Sequence, residues 1–341
     1  MESIYNKSFS DLEEYFLSIG EKKYKASQVY EWIYGKRVNS FDEFSNVKKE
    51  IISKLQEDFT MDKLTIKQVE RDVEVNKYLF ELSDGNYIEA VLMLHDYGRS
   101  LCISSQVGCN MGCKFCESGR LKKVRNLEAS EMVLQVLQIE DDIKERISHI
   151  VIMGIGEPFD NYDNVIKFVE IVNHAKGLQI GSRHITISTC GLVPKIEEFS
   201  KLPYQVNLAI SLHGATNKVR NEIMPINKAY PIEVLIEAVK KYIDKTNRRV
   251  TFEYIMLDGI NDSEDDAINL CNLLKGLNCY VNIIPYNETN NIGYKRSKKD
   301  TILKFYDIIK RRKIAVTIRR EFGTNISAAC GQLRAKKESE R

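Results

Sequence analysis

Residues Leu101–Cys116 read LCISSQVGCNMGCKFC, and this stretch decides the fold that the rest of the sequence predicts. It begins with an apolar run, Leu101–Ser104, that has the length and composition of a buried strand. A C-x3-C-x2-C run follows, made by Cys109, Cys113 and Cys116. Thiolates bind metal ions, so this order predicts metal-binding side chains just beyond the carboxyl end of a strand.

Strand and helix patterns alternate from this point onward. After Leu101–Ser104, strands are predicted at His149–Met153, His184–Ser188, Val206–Leu212, Val250–Met256, Tyr280–Ile284 and Ile314–Arg319. Helices are predicted at Ser130–Lys144, Asn164–Lys176, Ile232–Asp244, Glu264–Leu274 and Asp300–Arg312. This alternation indicates an α/β fold with a parallel sheet covered by helices. Six β/α units are too few to close an eight-stranded barrel, so we predict a partial (β/α)6 barrel, although a doubly wound open sheet would give the same order.

The sequence before the barrel falls into two parts. Residues 1–62 have the periodicity of short helices, and Ser10-Asp-Leu-Glu13 has the pattern of a capping box. Residues 63–97 contain alternating apolar and polar side chains, which is typical of strands. We therefore predict an N-terminal helical accessory domain, a β-rich connecting segment, a barrel over residues 98–335 and a charged tail at 336–341.

The composition excludes several classes of protein. The 341 residues are 43% hydrophobic and 29% charged, which is ordinary for a folded globular chain. The net charge is only +2, so a nucleic-acid surface has to be local, and Arg120–Arg125 and Lys310–Lys313 with Arg319 and Arg320 are candidates for it. No apolar run approaches the length of a membrane helix, and the start lacks the pattern of an export signal. We expect a cytoplasmic protein without membrane contact.

The eight cysteines need an explanation other than stable disulfides, which are rare in a reducing cytosol. Cys190, Cys271 and Cys279 occur singly in apolar surroundings and are predicted to pack in the core. The three-cysteine run leaves two alternatives open. Structural zinc usually takes four ligands, whereas three thiolates can hold three irons of a [4Fe-4S] cluster and leave the fourth iron open. The spacing favours the cluster, whose open iron could bind the amino and carboxylate groups of S-adenosylmethionine (SAM).

Polar motifs follow four of the predicted strands. They are Gly154–Pro158 after the second strand, Ser188-Thr189 at the third, Ser211 and His213 at the fourth, and Pro285–Asn287 after the sixth. Because the carboxyl ends of parallel strands meet at one edge of a sheet, we expect these motifs to line one large ligand pocket.

The cysteine run, placed before a helix, resembles that of the radical SAM superfamily. There, one electron from the cluster splits SAM and yields a 5′-deoxyadenosyl radical. Further motifs run in order from Glu89 to Leu333: GIGEP, ISTCG, NLAISLHGA, IMPINKAYPI, YIMLDGINDS, NIIPYN and ISAACGQL. Together with LCISSQVGCNMGCKFC they resemble the RlmN/Cfr family of RNA adenine methyltransferases, and the AACGQL ending is specific to that family. The resemblance implies a partial radical SAM barrel.

The resemblance also implies roles that spacing cannot supply. Cys330 matches the cysteine that carries the methyl group as S-methylcysteine. Cys102 matches the partner that releases the product through a transient disulfide with Cys330, and Glu89 matches the residue assigned as proton acceptor. This route is chemically sensible because a ring carbon of adenine is not nucleophilic, so direct polar transfer from the sulfonium would fail.

The remaining site residues follow by the same matching. Cys109, Cys113 and Cys116 match the cluster ligands. The residues that match SAM contacts are Gly156, Glu157, Ser188, Ser211, Leu212, His213 and Asn287. The resemblance implies methylation of carbon-2 of an adenine in 23S rRNA, with tRNA as a further candidate substrate. We expect a monomer that receives electrons from a donor such as flavodoxin.

Three alternatives stay open. The family usually has CATGxxG after the third cluster cysteine, whereas this chain has Cys116-Glu-Ser-Gly-Arg-Leu-Lys122. Cfr-like methylation of carbon-8, which confers antibiotic resistance, is therefore an alternative, although Pro158 is typical of RlmN. A radical enzyme acting on a protein or small molecule would have no need of Cys330. A zinc-containing RNA-binding module would hold no iron.

Overall fold

The computed structural model describes residues 1–288 and 293–320. The strands of this part of the chain are β1 (Glu2–Ser3), β2 (Phe59–Thr60), β3 (Thr65–Arg71), β4 (Val75–Glu81), β5 (Tyr87–His95), β6 (Gly98–Ile103), β7 (Gln106–Val107), β8 (Arg125–Asn126), β9 (His149–Ile152), β10 (Ile185–Thr189), β11 (Asn207–Ser211), β12 (Val250–Met256), β13 (Cys279–Pro285) and β14 (Ala315–Ile318). Ten of them form one sheet, in the order β14-β13-β12-β11-β10-β9-β6-β5-β4-β3.

Helices connect the strands of this sheet and cover it. The α-helices of the described residues are α1 (Phe9–Ser18), α2 (Tyr24–Tyr30), α3 (Lys49–Asp58), α4 (Glu117–Arg120), α5 (Ala129–Ile143), α6 (Tyr162–Asn173), α7 (Val193–Phe199), α8 (Asn217–Ile223), α9 (Ile232–Thr246), α10 (Glu264–Leu273) and α11 (Lys299–Arg311). The five longest helices of the barrel are those that the sequence predicted, whereas α7 and α8 are too short to give a clear periodic pattern. The helices of residues 1–288 and 293–320 are all too short or too polar to span a bilayer.

The order of the strands decides between the two sheet architectures. Strands β6 and β9 to β14 are all parallel and lie side by side in chain order. Each crossover therefore moves to the next strand in the same direction. A doubly wound sheet needs a reversal of strand order, which this sheet lacks within the described residues. The prediction of a partial barrel is confirmed.

Strands β3 to β5 extend the sheet beyond its parallel part. They pair as antiparallel neighbours, and β5 pairs antiparallel with β6, so that Val91 lies opposite Cys102. Side chains alternate between the two faces of a strand, so Glu89 shares a face with Val91 and Met93. Val91, Met93 and Cys102 pack in one apolar cluster on that face.

The capping box predicted at Ser10 lies two residues earlier. Helix α1 begins after Ser8, whose hydroxyl accepts a hydrogen bond from the Asp11 backbone N–H, while the Asp11 carboxylate accepts one from the Ser8 backbone N–H. Ser10 is inside the helix and donates to Glu170 of α6. The prediction was wrong because aspartate can serve in place of glutamate at the third helical position.

The N-terminal helices pack directly against the barrel. Asn6 accepts a hydrogen bond from the backbone of Ser130 and donates one to Glu128, at the start of α5. The Phe9 ring stacks on His174, just after α6, with ring centroids 4.2 Å apart. One continuous apolar core runs from α1 into the barrel. These contacts position the first 60 residues on the outer helical layer, away from the inner face of the sheet.

Candidate active site

One cavity lies at the carboxyl ends of the parallel strands. Its lining includes Cys109, Cys113, Cys116, Gly156, Glu157, Ser188, Ser211 and His213, all of which the sequence singled out. Leu212 is fully buried behind this lining, and Asn287 follows the end of β13 without being part of it. The fold thus brings side chains from four separate loops to one space.

The loop that carries the three cysteines is held by backbone hydrogen bonds. The Cys109 N–H donates to Leu121 O at 3.0 Å, and the Lys114 N–H donates to Ile223 O at 2.9 Å. Burial, reinforced by the neighbouring thiols, raises the pKa of Cys109 to about 12 and that of Cys113 well above its usual range. Three thiolates without a counter-ion are therefore unfavourable in this cavity.

This donor set fits an iron–sulfur cluster. Metal ions would supply the positive charge that three thiolates need, and soft thiolate ligands select Fe–S clusters or zinc. Among residues 1–288 and 293–320, no three His, Cys, Asp or Glu side chains are grouped so that they could hold a single metal ion. Three thiolates from one loop are the ligand set of a cluster that keeps one iron open.

Gly156 allows the chain to pass very close to β7. Its φ is +112°, and a Cβ at this position would lie 2.6 Å from the Gln106 Cβ. The next residue, Glu157, donates its backbone N–H to Gln106 Oε1 at 2.9 Å. Only glycine can adopt this conformation at this distance, so the GIGEP motif forms a tight loop over the cavity.

The Glu157 carboxyl group connects two of the loops. One oxygen accepts a hydrogen bond from the Phe159 N–H at 3.1 Å, and the other accepts from the Cys190 N–H at 2.8 Å. Complete burial raises the pKa of Glu157, and these hydrogen bonds oppose that shift. Remaining lone pairs on the carboxylate can accept hydrogen bonds from a ligand amine.

Cys190 has a different position from the one the sequence predicted. It is buried, as expected for a core cysteine, but it also lines the cavity beside the three-cysteine loop. Burial and then the Glu157 charge raise its pKa well above its usual range. A fourth thiol thus stands at the site, and its isolated position in the sequence gave no signal of this.

His213 is buried in a strained but well-bonded conformation. Its φ is +54°, its Nδ1 accepts a hydrogen bond from the Ile255 N–H at 3.1 Å, and its backbone oxygen accepts one from Asn261. Burial and then the Arg220 charge lower its pKa to about 3. The imidazole is therefore neutral at physiological pH, with its second nitrogen carrying the proton.

We expect His213 to make the folded protein less stable as the pH falls. Its folded pKa lies below the ordinary value of 6.5, so the unfolded state alone gains a proton, and stability present above pH 6.5 is lost toward pH 3. Between pH 6.5 and 4.5 this costs about 2 kcal/mol. Asparagine tolerates positive φ, so H213N should reduce the acid loss by about that amount in urea titrations at several pH values.

The matched control is H184N, at an exposed histidine. It should follow the wild-type pH profile. Identical profiles for wild type and H213N would contradict the neutral, buried imidazole.

Arg220 organises the site, and the sequence did not identify it. Its fully buried guanidinium donates to the backbone oxygens of Ser211, Leu212 and Cys190 and to Asn227 Oδ1. Burial lowers its pKa to about 10, so it stays charged at neutral pH. Its hydrogen bonds connect the end of β10 with the end of β11, and the guanidinium itself is not part of the cavity lining. Its acceptors lie 7 to 30 residues away in the chain and are brought to it only by the folded loops, so no sequence motif revealed these contacts.

Replacing Arg220 with methionine should destabilise the protein and weaken SAM binding. The change leaves several buried carbonyl oxygens without a donor, which costs about 3 kcal/mol or more of unfolding free energy. Urea denaturation and the KM for SAM measure the two effects. K218M, on an exposed residue of the same helix, is the control. An R220M protein whose unfolding free energy lies within about 1 kcal/mol of wild type, the value of one ordinary hydrogen bond, would contradict this role.

The predicted catalytic residues lie next to this cavity or outside the described residues. Cys102 is buried in β6 among Val91, Met93 and Ile155. The Glu89 backbone oxygen accepts a hydrogen bond from Ser104 Oγ at 2.6 Å, and its side chain is buried. Cys330 lies outside the described residues, so its role stays a prediction.

Comparisons with known proteins agree with this architecture. Residues 103–271 match the family model of the radical SAM superfamily, and residues 3–61 match the ribosomal RNA large subunit methyltransferase N-terminal domain. A crystal structure of a radical SAM methyltransferase from Sphaerobacter thermophilus superposes with a TM-score of 0.93 at 39% identity, covering 98% of this chain and 100% of that one.

Curated relatives extend over almost the whole chain. A probable dual-specificity RNA methyltransferase RlmN from Spiroplasma citri is 54% identical and covers 99% of both chains. A protein of the same name from Listeria monocytogenes is 52% identical over 98% of this chain and 94% of its own length.

The barrel and its cysteine loop place this chain in the radical SAM superfamily, so its cofactors are a [4Fe-4S] cluster and SAM. The sequence identity with the curated relatives over almost the whole chain decides the family within that superfamily. The chain belongs to the RlmN family of radical SAM RNA methyltransferases.

Proposed function

We propose that this protein methylates carbon-2 of an adenine in 23S rRNA, and that tRNA is a second substrate. The observation that supports this most directly is the shared cavity of the three cysteines and the GIGEP, ISTCG and SLH loops. The relatives are named as dual-specificity RNA methyltransferases, which supports two classes of RNA as substrates.

The residues of the cavity would bind and orient the cofactors. Cys109, Cys113 and Cys116 would hold the cluster, which together with SAM supplies the radical chemistry that removes a hydrogen atom from the Cys330 methyl group. Gly156 gives the methionine end of SAM access to backbone groups, and Glu157 accepts hydrogen bonds from its amine. The Ser188 and Ser211 hydroxyls lie 3.2 Å apart and are positioned to hydrogen-bond the ribose of SAM.

The inner face of the sheet would complete the transfer. The Cys330 thiolate would receive the methyl group from a first SAM before the hydrogen atom is removed. The resulting methylene radical adds to carbon-2 of the adenine, one electron would return to the oxidised cluster, and Glu89 accepts the proton that leaves carbon-2. The Cys102 thiolate then attacks the Cys330 sulfur. A disulfide forms and the sulfur–carbon bond breaks, leaving its electron pair on carbon, which takes up a proton and becomes the methyl group. Cytosolic thiols reduce the disulfide.

The cellular setting follows from this chemistry. A disulfide that must be reduced after every turnover requires a supply of thiols, so we propose a cytoplasmic enzyme. An electron donor such as flavodoxin would reduce the cluster, and the enzyme would act as a monomer.

Mass spectrometry of modified nucleosides tests the proposal. Ribosomal RNA and tRNA from cells lacking the gene should lack 2-methyladenosine, and a plasmid copy should restore it. A C330A copy is the control and should not. Finding 8-methyladenosine instead would assign the other carbon, and finding neither nucleoside would overturn the proposed function.

A further inference from the structure

A second cavity continues from the cofactor site into the interior of the barrel, and we call it the lower lumen. It has a volume of about 460 Å³. Met153, Glu253 and Arg319 line both this cavity and the cofactor site. This volume lies in the range of small-ligand pockets. The lower lumen is therefore a space for a ligand that reacts with the bound cofactors.

The two walls of the lower lumen differ in chemistry. One wall carries Met93, Val151 and Met153 beside the polar side chains of His95 and Ser100, and the apolar cluster around Cys102 adjoins it. The opposite wall carries Thr251 and Glu253 of β12 together with Asn282 of β13. An apolar wall facing a hydrogen-bonding wall suits a flat nucleobase, which stacks on apolar side chains and is recognised at its edge.

Glu253 is the group that can recognise such an edge. It is 5% exposed, and its Oε2 accepts a hydrogen bond from Asn282 Nδ2 at 2.9 Å. Thr317 Oγ1 donates to Asn282 Oδ1 at 3.3 Å, which fixes the orientation of the amide. The other acidic residue of the lining, Asp96, is exposed at the mouth. Glu253 is thus a fixed carboxyl group at the inner end of the lower lumen.

Burial disfavours the charged form of the Glu253 carboxyl group. Burial raises its pKa, although the positive charge of Arg319 and the Asn282 hydrogen bond oppose the shift. A neutral carboxyl group has one O–H donor and one carbonyl acceptor. This is the pair that asparagine and glutamine side chains use to bond N6 and N7 of adenine.

We propose that Glu253 recognises the target adenine, accepting a hydrogen bond from the 6-amino group and donating one to N7. The inference rests on the proposed function and adds a base-recognition site to it. The N6–N7 edge lies across the purine from carbon-2. Holding the base by that edge leaves carbon-2 free on the side of the ring that faces away from Glu253.

Variants of Glu253 test the proposal in assays on large-subunit rRNA transcripts. E253L should lower kcat/KM for RNA by about 10- to 100-fold, because it removes one bidentate base contact. E253Q keeps one donor and one acceptor and should retain most of the activity. E237L, on an exposed glutamate of α9, is the matched control and should equal wild type. Deoxyadenosine formation without RNA should be the same in E237L and wild type.

Modified transcripts supply a readout that a structural role would not change. Transcripts made with 7-deaza-ATP lack N7, so the kcat/KM of wild type should be about tenfold lower on them than on ordinary RNA. The kcat/KM of E253L should be the same on both kinds of RNA. Full activity of E253L on ordinary RNA would overturn the proposal, as would an equal 7-deaza penalty in both proteins. Should E253L not fold, full wild-type activity on 7-deaza RNA would overturn it as well. Absence of any methyladenosine with wild type would instead overturn the proposed function.

Discussion

Replacing Cys113 with alanine is expected to give a folded protein that binds almost no iron and forms no deoxyadenosine. The three-cysteine loop supplies only three thiolates, so losing one leaves two, too few to hold the cluster. Burial also raises the pKa of the Cys109 thiol to about 12, so this remaining cysteine favours its neutral form when no metal is bound. Iron and sulfide analysis after anaerobic reconstitution measures the first effect, and chromatography of the SAM products measures the second.

Two cysteine variants serve as controls for this experiment. Cys271 is buried on α10 away from the site, and C271A should keep a full complement of iron. Cys190 lines the cavity but belongs to another loop, and C190A should keep it too. If C113A retained four irons while the C113A/C190A double variant lost them, Cys190 would be able to act as a ligand, and the assignment of only three cysteines would be wrong.

Replacing Cys102 with alanine is expected to trap the enzyme covalently on its RNA. Once the Cys330 carbon has joined the adenine, release needs a thiolate that attacks the Cys330 sulfur, and alanine cannot supply one. The reaction should stop after about one covalent adduct per protein, and no methylated RNA should be released. A denaturing gel should show a species that contains both protein and RNA and that ribonuclease shortens.

The double variant C102A/C330A is the matched control for this adduct. It lacks the carbon carrier, so it should form no covalent species with RNA. An adduct in the double variant would place the linkage at another residue. Normal multiple turnover by C102A would show that release does not involve Cys102.

The elements of the barrel could be predicted because buried parallel strands are nearly continuous apolar runs. Strand β12 has the predicted bounds, and the main helices begin and end close to where their periodicity does. The sheet order could not be obtained this way, because a partial barrel and a doubly wound sheet share one local pattern. Only the pairing of β6 with β9, and of each later strand with the next, decides it.

The candidate site was predictable where a motif follows a strand directly. The glycine and serine motifs do so, and they meet in one cavity. Arg220, Glu253 and the site-lining position of Cys190 were not predictable. Arg220 and Cys190 reach the site through contacts between loops, and Glu253 reaches it from one face of a strand. These positions are fixed only when the sheet curves.

We propose that the thiolates of Cys109, Cys113 and Cys116 hold a cluster that breaks SAM by one-electron reduction. The most direct measurement uses anaerobically reconstituted protein with SAM and dithionite, and it quantifies 5′-deoxyadenosine and methionine over time. Both products should form with wild-type protein, and both should be absent with C113A. Reconstituted wild-type protein that holds four irons, binds SAM and still forms no deoxyadenosine would contradict it.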